Sequence, residues 1–321
     1  MAELPLLALT LGDPSGIGPE VVVKALARDE VRATARVVVV GSLAVVREAI
    51  EAAGSALTVE GVLLPIDRSS DPDAIHVLTG EESEPARFPL GRHSEASGRA
   101  SHGWVEQAAR LALDGAVDGI VTAPVNKESW RMAGSADVGH QEVFKRLSGA
   151  ETVATMLVTG GLRCVHLSTH LPLEEACRAV THERVLRYLR LTHQHFQGWG
   201  VSEPRIAVAA LKPHGSDGGL MGDTEAREIA PAVREAVSEG IAASGPIPAD
   251  SVFSQAIGGL FDAVLVMYHD QGHIAIKVHG LEESVSVNLG LPFLRTSVDH
   301  GTAFDIVGRN QADETSMVEA I

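Results

Sequence analysis

Three histidines each follow a short apolar run with the composition of a buried β-strand. His170 ends the stretch RCVHLSTH, His214 follows RIAVAALKP, and His269 follows DAVLVMY. Imidazole nitrogens bind divalent cations, and three of them leave coordination positions open for a substrate. Ligand-binding loops in α/β sheets follow the carboxyl ends of strands, so these side chains are candidate metal ligands. Because the chain has 14 histidines, spacing alone leaves the assignment open.

The third of these stretches, MYHDQGHIAIK, contains two histidines four residues apart. A helical zinc motif of the HExxH type would need His269 and His273 on one helix face. Gly272 and the strand-like residues before it argue against a continuous helix here. We therefore predict a single ligand, His269. His166 lies within an apolar alternation and is predicted to be a core residue.

A glycine- and proline-rich turn, TLGDPSGIGPE at residues 10–20, joins a predicted strand to a predicted helix. Such a turn exposes backbone N–H groups at a helix N-terminus, which favours an anion or a carboxamide. The turn lacks both the GxGxxG order of dinucleotide-binding folds and the GxxxxGK[ST] order of a P-loop. A tight turn without a ligand is the structural alternative.

The charge balance limits the partners. Lys and Arg number 26 against 42 Asp and Glu, which gives a net charge of −16. General attraction to nucleic acid or to acidic membranes is thereby disfavoured. A small anionic substrate would need a local cluster of polar and basic groups, and His140, Lys277 and Arg295 are the candidates for binding a phosphate or carboxylate.

Apolar β-branched runs alternate with amphipathic stretches along the chain, which predicts an α/β fold with mostly parallel sheets. The length suits two lobes. We predict that residues 1–125 and about 290–321 form a cofactor-side lobe. Residues from about 126 to 289 would form a lobe for metal, substrate and dimerisation. Residues 65–95 read as a polar excursion.

The sequence also gives an expectation for the location of the protein. The N-terminus lacks the basic start of a signal peptide, and no apolar run is long enough to span a membrane. The two cysteines show no CxxC spacing, which fits a reducing compartment. We expect a cytoplasmic protein.

Taken in order, the motifs resemble those of the 4-hydroxythreonine-4-phosphate dehydrogenase family of vitamin B6 biosynthesis. The resemblance extends over nearly the whole chain through TLGDPSGIGPE, TAPVNK, GHQE, STHLPL, KPHGSDGG, PADSVF, YHDQGH and LGLPFLRTSVDHGTAFDIVG. It implies a two-lobed subunit like those of isocitrate and isopropylmalate dehydrogenases, with the active site in the interlobe cleft. It also implies a homodimer, NAD or NADP as cofactor, and one divalent metal, with zinc favoured over Mg, Mn or Co.

The resemblance assigns roles to individual residues. The metal ligands would be His170, His214 and His269, the last of them supplied by the partner subunit. Substrate contacts would come from His140, Gln141, Lys277, Ser286 and Arg295. The cofactor would lie against Gly12, Asp13, Gly16, Gly18, Asp299, His300 and Gly301. Lys277, Lys127 and Asp250 are the catalytic candidates, and the sequence does not decide which is the general acid or base.

The implied reaction is oxidation, with decarboxylation, of a 4-phosphorylated four-carbon hydroxy acid, and 4-hydroxythreonine 4-phosphate is the first choice. Gln141 and Ser286 stand where the biosynthetic enzymes generally have Thr and Asn. An alternative is therefore a paralogue that oxidises 4-phospho-D-threonate, 4-phospho-D-erythronate or a terephthalate-type dihydrodiol carboxylate. A metal-dependent hydrolase or lyase without NAD belongs to another class. A non-catalytic binding protein would be expected to have lost the three histidines.

Overall fold

The computed structural model describes residues 4–63, 73–78 and 88–321. The chain divides into two compact units, Met1–Glu151 with Leu291–Ile321 and Thr152–Gly290. Each unit is an α/β structure built on a sheet, as the alternating pattern predicts. Most of the predicted excursion at residues 65–95 lies outside the described residues. Within the described part of the chain, no helix has the length and apolarity needed to cross a membrane.

The first unit is built on a parallel sheet with strand order β3-β4-β2-β1-β5-β12 among its described residues. Its strands are rich in Val, Ile and Leu because a parallel sheet is covered on both faces. The strands are β1 Leu6–Thr10, β2 Arg36–Val40, β3 Thr58–Val62, β4 Ala74–Leu78, β5 Gly119–Thr122 and β12 Leu294–Val298. The helices are α1 Gly18–Leu26, α2 Asp29–Thr34, α3 Leu43–Ala53, α4 Glu95–Leu113, α5 Lys127–Met132, α6 His140–Ser148 and α12 Thr315–Ala320.

The second unit has the strand order β11-β6-β7-β10-β8-β9. The pairs from β7 to β9 are parallel, whereas β6 is antiparallel to both of its neighbours. The strands are β6 Ala154–Thr159, β7 Leu162–His166, β8 Ile206–Ala209, β9 Ala243–Ile247, β10 Ala263–Val266 and β11 Val285–Leu289. The helices are α7 Leu173–Arg178, α8 His182–Gly198, α9 Ala230–Ser238, α10 Ala249–Ile257 and α11 His269–His279. A 3-10-type segment, Pro213–Gly219, and a π-helical segment, Glu225–Ile229, join β8 to α9.

The division between the two units differs from the boundary expected near residue 125. Residues 126–151 belong to the first unit, because α5 and α6 pack against α4. Trp130 contributes to this packing: its side chain is fully buried, and its Nε1 donates to Ser101 Oγ on α4 at 2.9 Å. The segment PVNKESW after the strand-like VTA, on which the expected boundary rested, therefore does not mark a change of unit. The roles of the two lobes stay a prediction.

The helix α11 corrects a second expectation, since it runs without a break through Gly272. A Cβ atom at this position would lie 2.4 Å from His166 Nε2 and 2.8 Å from Val266 Cγ2. The glycine is needed because α11 packs directly on β7 and β10, and it does not end the helix. His269 and His273 consequently lie on one face, with ring centroids 3.5 Å apart and nearly parallel planes.

Gly272→Ala should lower the free energy of unfolding by about 1–3 kcal/mol, because the added methyl overpacks the contact with His166. Urea denaturation would measure the change. Gly103→Ala in α4 is the matched control, since a methyl group added there would have no neighbouring atom within 4 Å. The control should gain about 0.5–1 kcal/mol from helix propensity. Equal stabilities of Gly272→Ala and the wild type would contradict the packing explanation.

Candidate active site

Four neighbouring strands of the second unit are each followed by a predicted metal ligand or catalytic residue. In the sheet order β7, β10, β8 and β9, the strands are followed by His170, His269, His214 and Asp250. These strands are mutually parallel, so their carboxyl ends lie at one edge of the sheet. Ligands of open α/β sheets bind at this edge. The structure therefore places the predicted metal ligands and one catalytic candidate along a single edge.

The histidines form two groups along this edge. The rings of His170 and His269 have centroids 5.9 Å apart. His214 lies with carboxylates, its Nδ1 3.3 Å from Asp217 Oδ2 and its Nε2 4.0 Å from Asp250 Oδ2. Among the described residues of this single chain, no three His, Cys, Asp or Glu side chains gather around one point as a metal site.

The donor chemistry of these histidines fits a divalent cation. His269 Nδ1 lies 2.7 Å from Asp270 Oδ1, and His214 Nδ1 has the corresponding contact with Asp217. A carboxylate on one ring nitrogen orients an imidazole and increases the basicity of the other nitrogen. Both histidines can thus present Nε2 to a metal ion.

Hydrogen bonds fix the loops that carry these side chains. Gln271 is buried, accepts from Met267 N at 2.7 Å and donates to the carbonyl of Ala210 at 2.8 Å. This amide joins the start of α11 to the end of β8. Ser168 Oγ donates to the carbonyl of Met267 at 2.9 Å. This bond joins the loop after β7, which carries His170, to the residues between β10 and His269. The loops after β7, β8 and β10 are therefore bound to one another.

His166 is a core residue, as predicted. Its side chain is 1% exposed, and Nδ1 lies 3.3 Å from the carbonyl of Thr155. Burial, and to a smaller extent the neighbouring His273, lower the pKa of His166 to about 3. Its ring centroid lies 4.6 Å from that of His273. A neutral imidazole thus supports the α11 histidines from the sheet side.

The first unit contains a candidate anion site around Arg295 on β12. The guanidinium is 5% exposed, donates from Nη2 to Thr122 Oγ1 at 2.6 Å and lies 5.7 Å from the ring centroid of Phe144. Burial lowers the pKa of Arg295 to about 9, so the group is still cationic at pH 7. A buried cation favours an anionic ligand, because an opposite charge offsets its desolvation.

His140, at the first position of α6, belongs to the same surroundings. Its ring lies between Trp130 and Phe144, at centroid distances of 5.9 and 6.2 Å. Its Nε2 is buried and has no hydrogen-bond partner among the residues that the structure describes. Burial lowers the pKa of His140 well below its usual value, and the charges of Arg295 and Lys127 lower it further. A neutral ring with an open nitrogen close to two cations is suited to hydrogen-bond a phosphate or carboxylate.

The glycines of the GDPSGIGPE turn are explained first by packing. A Cβ atom on Gly12, Gly16 or Gly18 would lie 2.5–2.8 Å from the nearest neighbouring atom. Ile17 N also donates to the carbonyl of Thr302 at 3.1 Å, so the turn contacts the predicted cofactor loop near residue 300. Burial raises the pKa of Asp13, whose Oδ1 accepts from Ser15 N at 2.8 Å. The structure thus joins the two predicted cofactor motifs within the first unit.

A pocket opens beside this turn. Its walls are mostly apolar and include two carboxylates, and the residues that line it are Pro14, Gly16, Pro19, Glu20, Val45, Glu48, Ala49, Ala52, Ala53, Phe88, Leu90, Val307, Gly308 and Asn310. Its apolar walls fit one end of a dinucleotide. Gly16 is the predicted cofactor residue that lines it.

The remaining predicted residues lie in several elements. Lys277 is exposed on α11, Ser286 is half-buried on β11, and Gln141 is half-buried at the start of α6. Asp299 N donates to Ser316 Oγ at 3.4 Å, and His300 Nδ1 lies 3.0 Å from the carbonyl of Gly301. Within residues 4–63, 73–78 and 88–321, a Cβ atom on Gly301 would have no neighbour within 4 Å, so the described chain leaves this backbone open to a ligand.

Sequence reasoning missed the apolar wall of the cavity and the buried carboxylate of Glu225. The residues of α3 that line the cavity show only the pattern expected of an ordinary amphipathic helix with small side chains. Glu225 follows the glycine-rich loop after β8, and an acidic residue there reads as exposed. Its 3% exposure shows otherwise.

Comparison with known proteins identifies relatives along the full chain. The family profile described as "Pyridoxal phosphate biosynthetic protein PdxA" matches residues 33–321. A protein of Symbiobacterium thermophilum named putative D-threonate 4-phosphate dehydrogenase is 43% identical, covering 100% of this chain and 96% of its own. A 4-hydroxythreonine-4-phosphate dehydrogenase of Geobacter metallireducens is also 43% identical, covering 99% and 94%. The crystal structure of 4-hydroxythreonine-4-phosphate dehydrogenase from Klebsiella pneumoniae superposes with a TM-score of 0.91 at 37% identity, covering 99% and 97%.

Proposed function

The chain belongs to the PdxA family, and on that premise we propose that it is a dehydrogenase that oxidises a 4-phosphorylated four-carbon hydroxy acid. The observation that carries the proposal is the row of His170, His269, His214 and Asp250 after adjacent parallel strands. The cationic, buried Arg295 beside the neutral His140 supports a phosphorylated substrate. The relatives named above are dehydrogenases of such substrates.

His170, His214 and His269 would hold one divalent metal. Zinc is the first choice, because imidazole nitrogen is a common zinc ligand. Such a cation acidifies a bound hydroxyl and stabilises the negative charge that develops during decarboxylation. Arg295, His140 and Lys277 bind the anionic group in our assignment, with Gln141 and Ser286 as further contacts. Lys277, Lys127 or Asp250 moves the proton of the reacting hydroxyl.

NAD or NADP would supply the hydride acceptor. We assign one end of it to the cavity lined by Gly16, Phe88 and Val307, because the cavity is apolar and adjoins the turn before α1. The Asp299–Gly301 loop keeps its predicted role as a neighbouring contact.

Two substrates compete for the first choice. 4-Hydroxythreonine 4-phosphate is the leading candidate, and D-threonate 4-phosphate is favoured by the Gln141 and Ser286 replacements and by one of the two 43% identical relatives. The test compares kcat/KM for the two compounds with NAD and zinc, with D-erythronate 4-phosphate and a terephthalate dihydrodiol alongside. Turnover of none of them would contradict the proposed substrate class. Conversion of a substrate without cofactor reduction would favour the hydrolase or lyase alternative.

We also propose a homodimer, with His269 supplied to the neighbouring copy. One face of α11 supports it, because Ile274 and Val278 are 61% and 83% exposed and Leu281 beyond the helix is also exposed. Burial of an aliphatic side chain of this kind contributes about 1.5–3 kcal/mol.

Cys164 and Cys177 are both free thiols, which supports the expected cytoplasmic location.

Ile274→Asp combined with Val278→Asp should convert the dimer to monomer, because a charged face cannot be buried without a partner. Sedimentation velocity would measure the mass, and zinc content should fall with it. Val237→Asp is the control, since this residue of α9 is also exposed and apolar. A double variant that keeps the wild-type mass and zinc content would contradict the assignment of this face.

A further inference from the structure

The loop that carries His214 has an unusual backbone. Residues 214–218 all have positive φ angles, between 44° and 73°. Three of them, His214, Ser216 and Asp217, have side chains, and for such residues this left-handed region is unfavourable. A run of five residues in this region persists only where surrounding contacts determine it.

Glu225 makes the contacts that hold this turn. Its carboxylate is almost fully buried, with Oε1 accepting from Lys212 N at 2.7 Å and Oε2 accepting from Ser216 Oγ. The first of these partners lies two residues before His214, and the second lies two residues after it. The carboxylate therefore clamps the backbone on both sides of the histidine.

Two further features keep the carboxylate in this place. Glu225 opens the π-helical segment Glu225–Ile229, and such segments are often found at functional sites. Lys212 Nζ lies 3.8 Å from Glu225 Oε2 and donates to Thr224 Oγ1 at 3.0 Å, so the buried charge has a cationic neighbour. By contrast, the side-chain neighbours of His214 are the exposed Asp217 and Asp250. Exposed pairs of this kind contribute little to holding a geometry.

We propose that Glu225 is a positioning residue, which holds the left-handed turn so that the His214 imidazole is presented to the metal ion. The inference rests on the metal-binding role of His214 proposed above and adds a residue that never touches the metal. Its effect is expected in metal affinity, because the loss of an outer partner leaves the ligand free to adopt other orientations.

The experiment measures the zinc dissociation constant of the metal-free full chain by competition with a chromophoric chelator. Glu225→Ala should weaken zinc binding by about 10–100-fold, the usual effect of removing an outer-sphere partner. Ser216→Ala should weaken it in the same direction but by less, because the Lys212 N contact remains. Glu225→Gln keeps the shape and one acceptor, and should bind zinc more tightly than Glu225→Ala.

Two controls separate positioning from general stability. Thr192→Val removes a buried hydroxyl of α8 that donates to the Tyr188 carbonyl at 2.7 Å, so it should lower the melting temperature and leave zinc affinity unchanged. His214→Ala tests the underlying metal role. If His214→Ala binds zinc like the wild type, the proposed metal site and this inference both fail.

If His214→Ala weakens zinc binding while Glu225→Ala and Ser216→Ala bind like the wild type, the inference alone is overturned. An equal loss of affinity in Thr192→Val would also overturn it, because the effect would then follow stability. Should Glu225→Ala fail to fold, Ser216→Ala decides, and wild-type zinc affinity in that variant rejects the positioning role.

Discussion

Replacement of His170, His214 or His269 with alanine should each reduce zinc affinity by more than about 100-fold, with activity falling in parallel. Outer-sphere partners already contribute about 10–100-fold to metal affinity, and loss of a direct ligand should exceed this. Each histidine follows one of three adjacent parallel strands, so each is placed at the same edge of the sheet. Zinc retained after dialysis, measured by mass spectrometry, and the rate of NADH formation give the two readouts.

His273→Ala is the matched control for these variants. Its imidazole stacks on His269 at 3.5 Å, and its Nδ1 lies 3.0 Å from the His269 carbonyl one helical turn away. It stands on the same face of α11 as His269, so it tests whether zinc needs His269 itself or any imidazole on this face. We nevertheless expect His273→Ala to keep its zinc, because the Asp270 carboxylate lies 2.7 Å from His269 Nδ1 and orients that ring with Nε2 presented to the metal.

Two results would change this assignment. Loss of zinc in His273→Ala together with His269→Ala, but in neither of the other variants, would indicate a two-histidine helical site. Full zinc content and full activity in all three alanine variants would contradict the assignment of these histidines as metal ligands. Circular dichroism should show that the variants are folded, because the three side chains are at the sheet edge and not in the core.

The second large effect is expected at Arg295. Arg295→Met should lower kcat/KM for the phosphorylated substrate by about 10–150-fold, the equivalent of the roughly 1.5–3 kcal/mol that a hydrogen bond to a charged group contributes. Burial lowers the pKa of this arginine to about 9, so it carries its charge throughout the assay range near pH 7. The substrate's anionic group is the partner that we assign to that charge.

The comparison of phosphorylated and dephosphorylated substrates makes this test specific. The wild type should strongly prefer the phosphorylated compound, and Arg295→Met should lose most of that preference. Replacement of a buried cation by methionine need not destabilise the fold. Arg295→Lys should recover part of the activity, since lysine keeps the charge but not the planar fork. Arg99→Met, at an exposed pair with Glu95, is the control.

An unchanged preference for the phosphorylated substrate in Arg295→Met would contradict this role. The phosphate would then have to be bound by the other predicted contacts, Lys277 among them.

The sequence predicts the architecture well because a parallel sheet leaves a strong local signal. Runs such as RVVVV in β2 and AVLV in β10 mark buried strands, so the sequence shows which histidines follow a strand. Their position alone leaves the assignment as metal ligands open. The predictions that failed depend on contacts between residues that are far apart in the sequence. Gly272 reads as a helix breaker, and the reason it is a glycine is the ring of His166, more than a hundred residues earlier.

The candidate site shows the same limit. The unit boundary was misplaced because α5 and α6 pack back on α4, which their amphipathic patterns do not reveal. Glu225 reads as an ordinary surface acid, and its burial depends on a left-handed turn whose conformation it helps to hold. The neutral state of His140 likewise depends on burial and on Arg295, a residue of a strand near the end of the chain.

The central claim is that the chain is a cofactor-dependent oxidoreductase of 4-phosphorylated hydroxy acids. The most direct measurement is the absorbance of reduced nicotinamide when zinc-loaded protein is mixed with NAD or NADP and either 4-hydroxythreonine 4-phosphate or D-threonate 4-phosphate. We predict a substrate-dependent rise for at least one of the two compounds, which disappears in His214→Ala and with the dephosphorylated analogue. No rise with either compound and either cofactor would contradict the account.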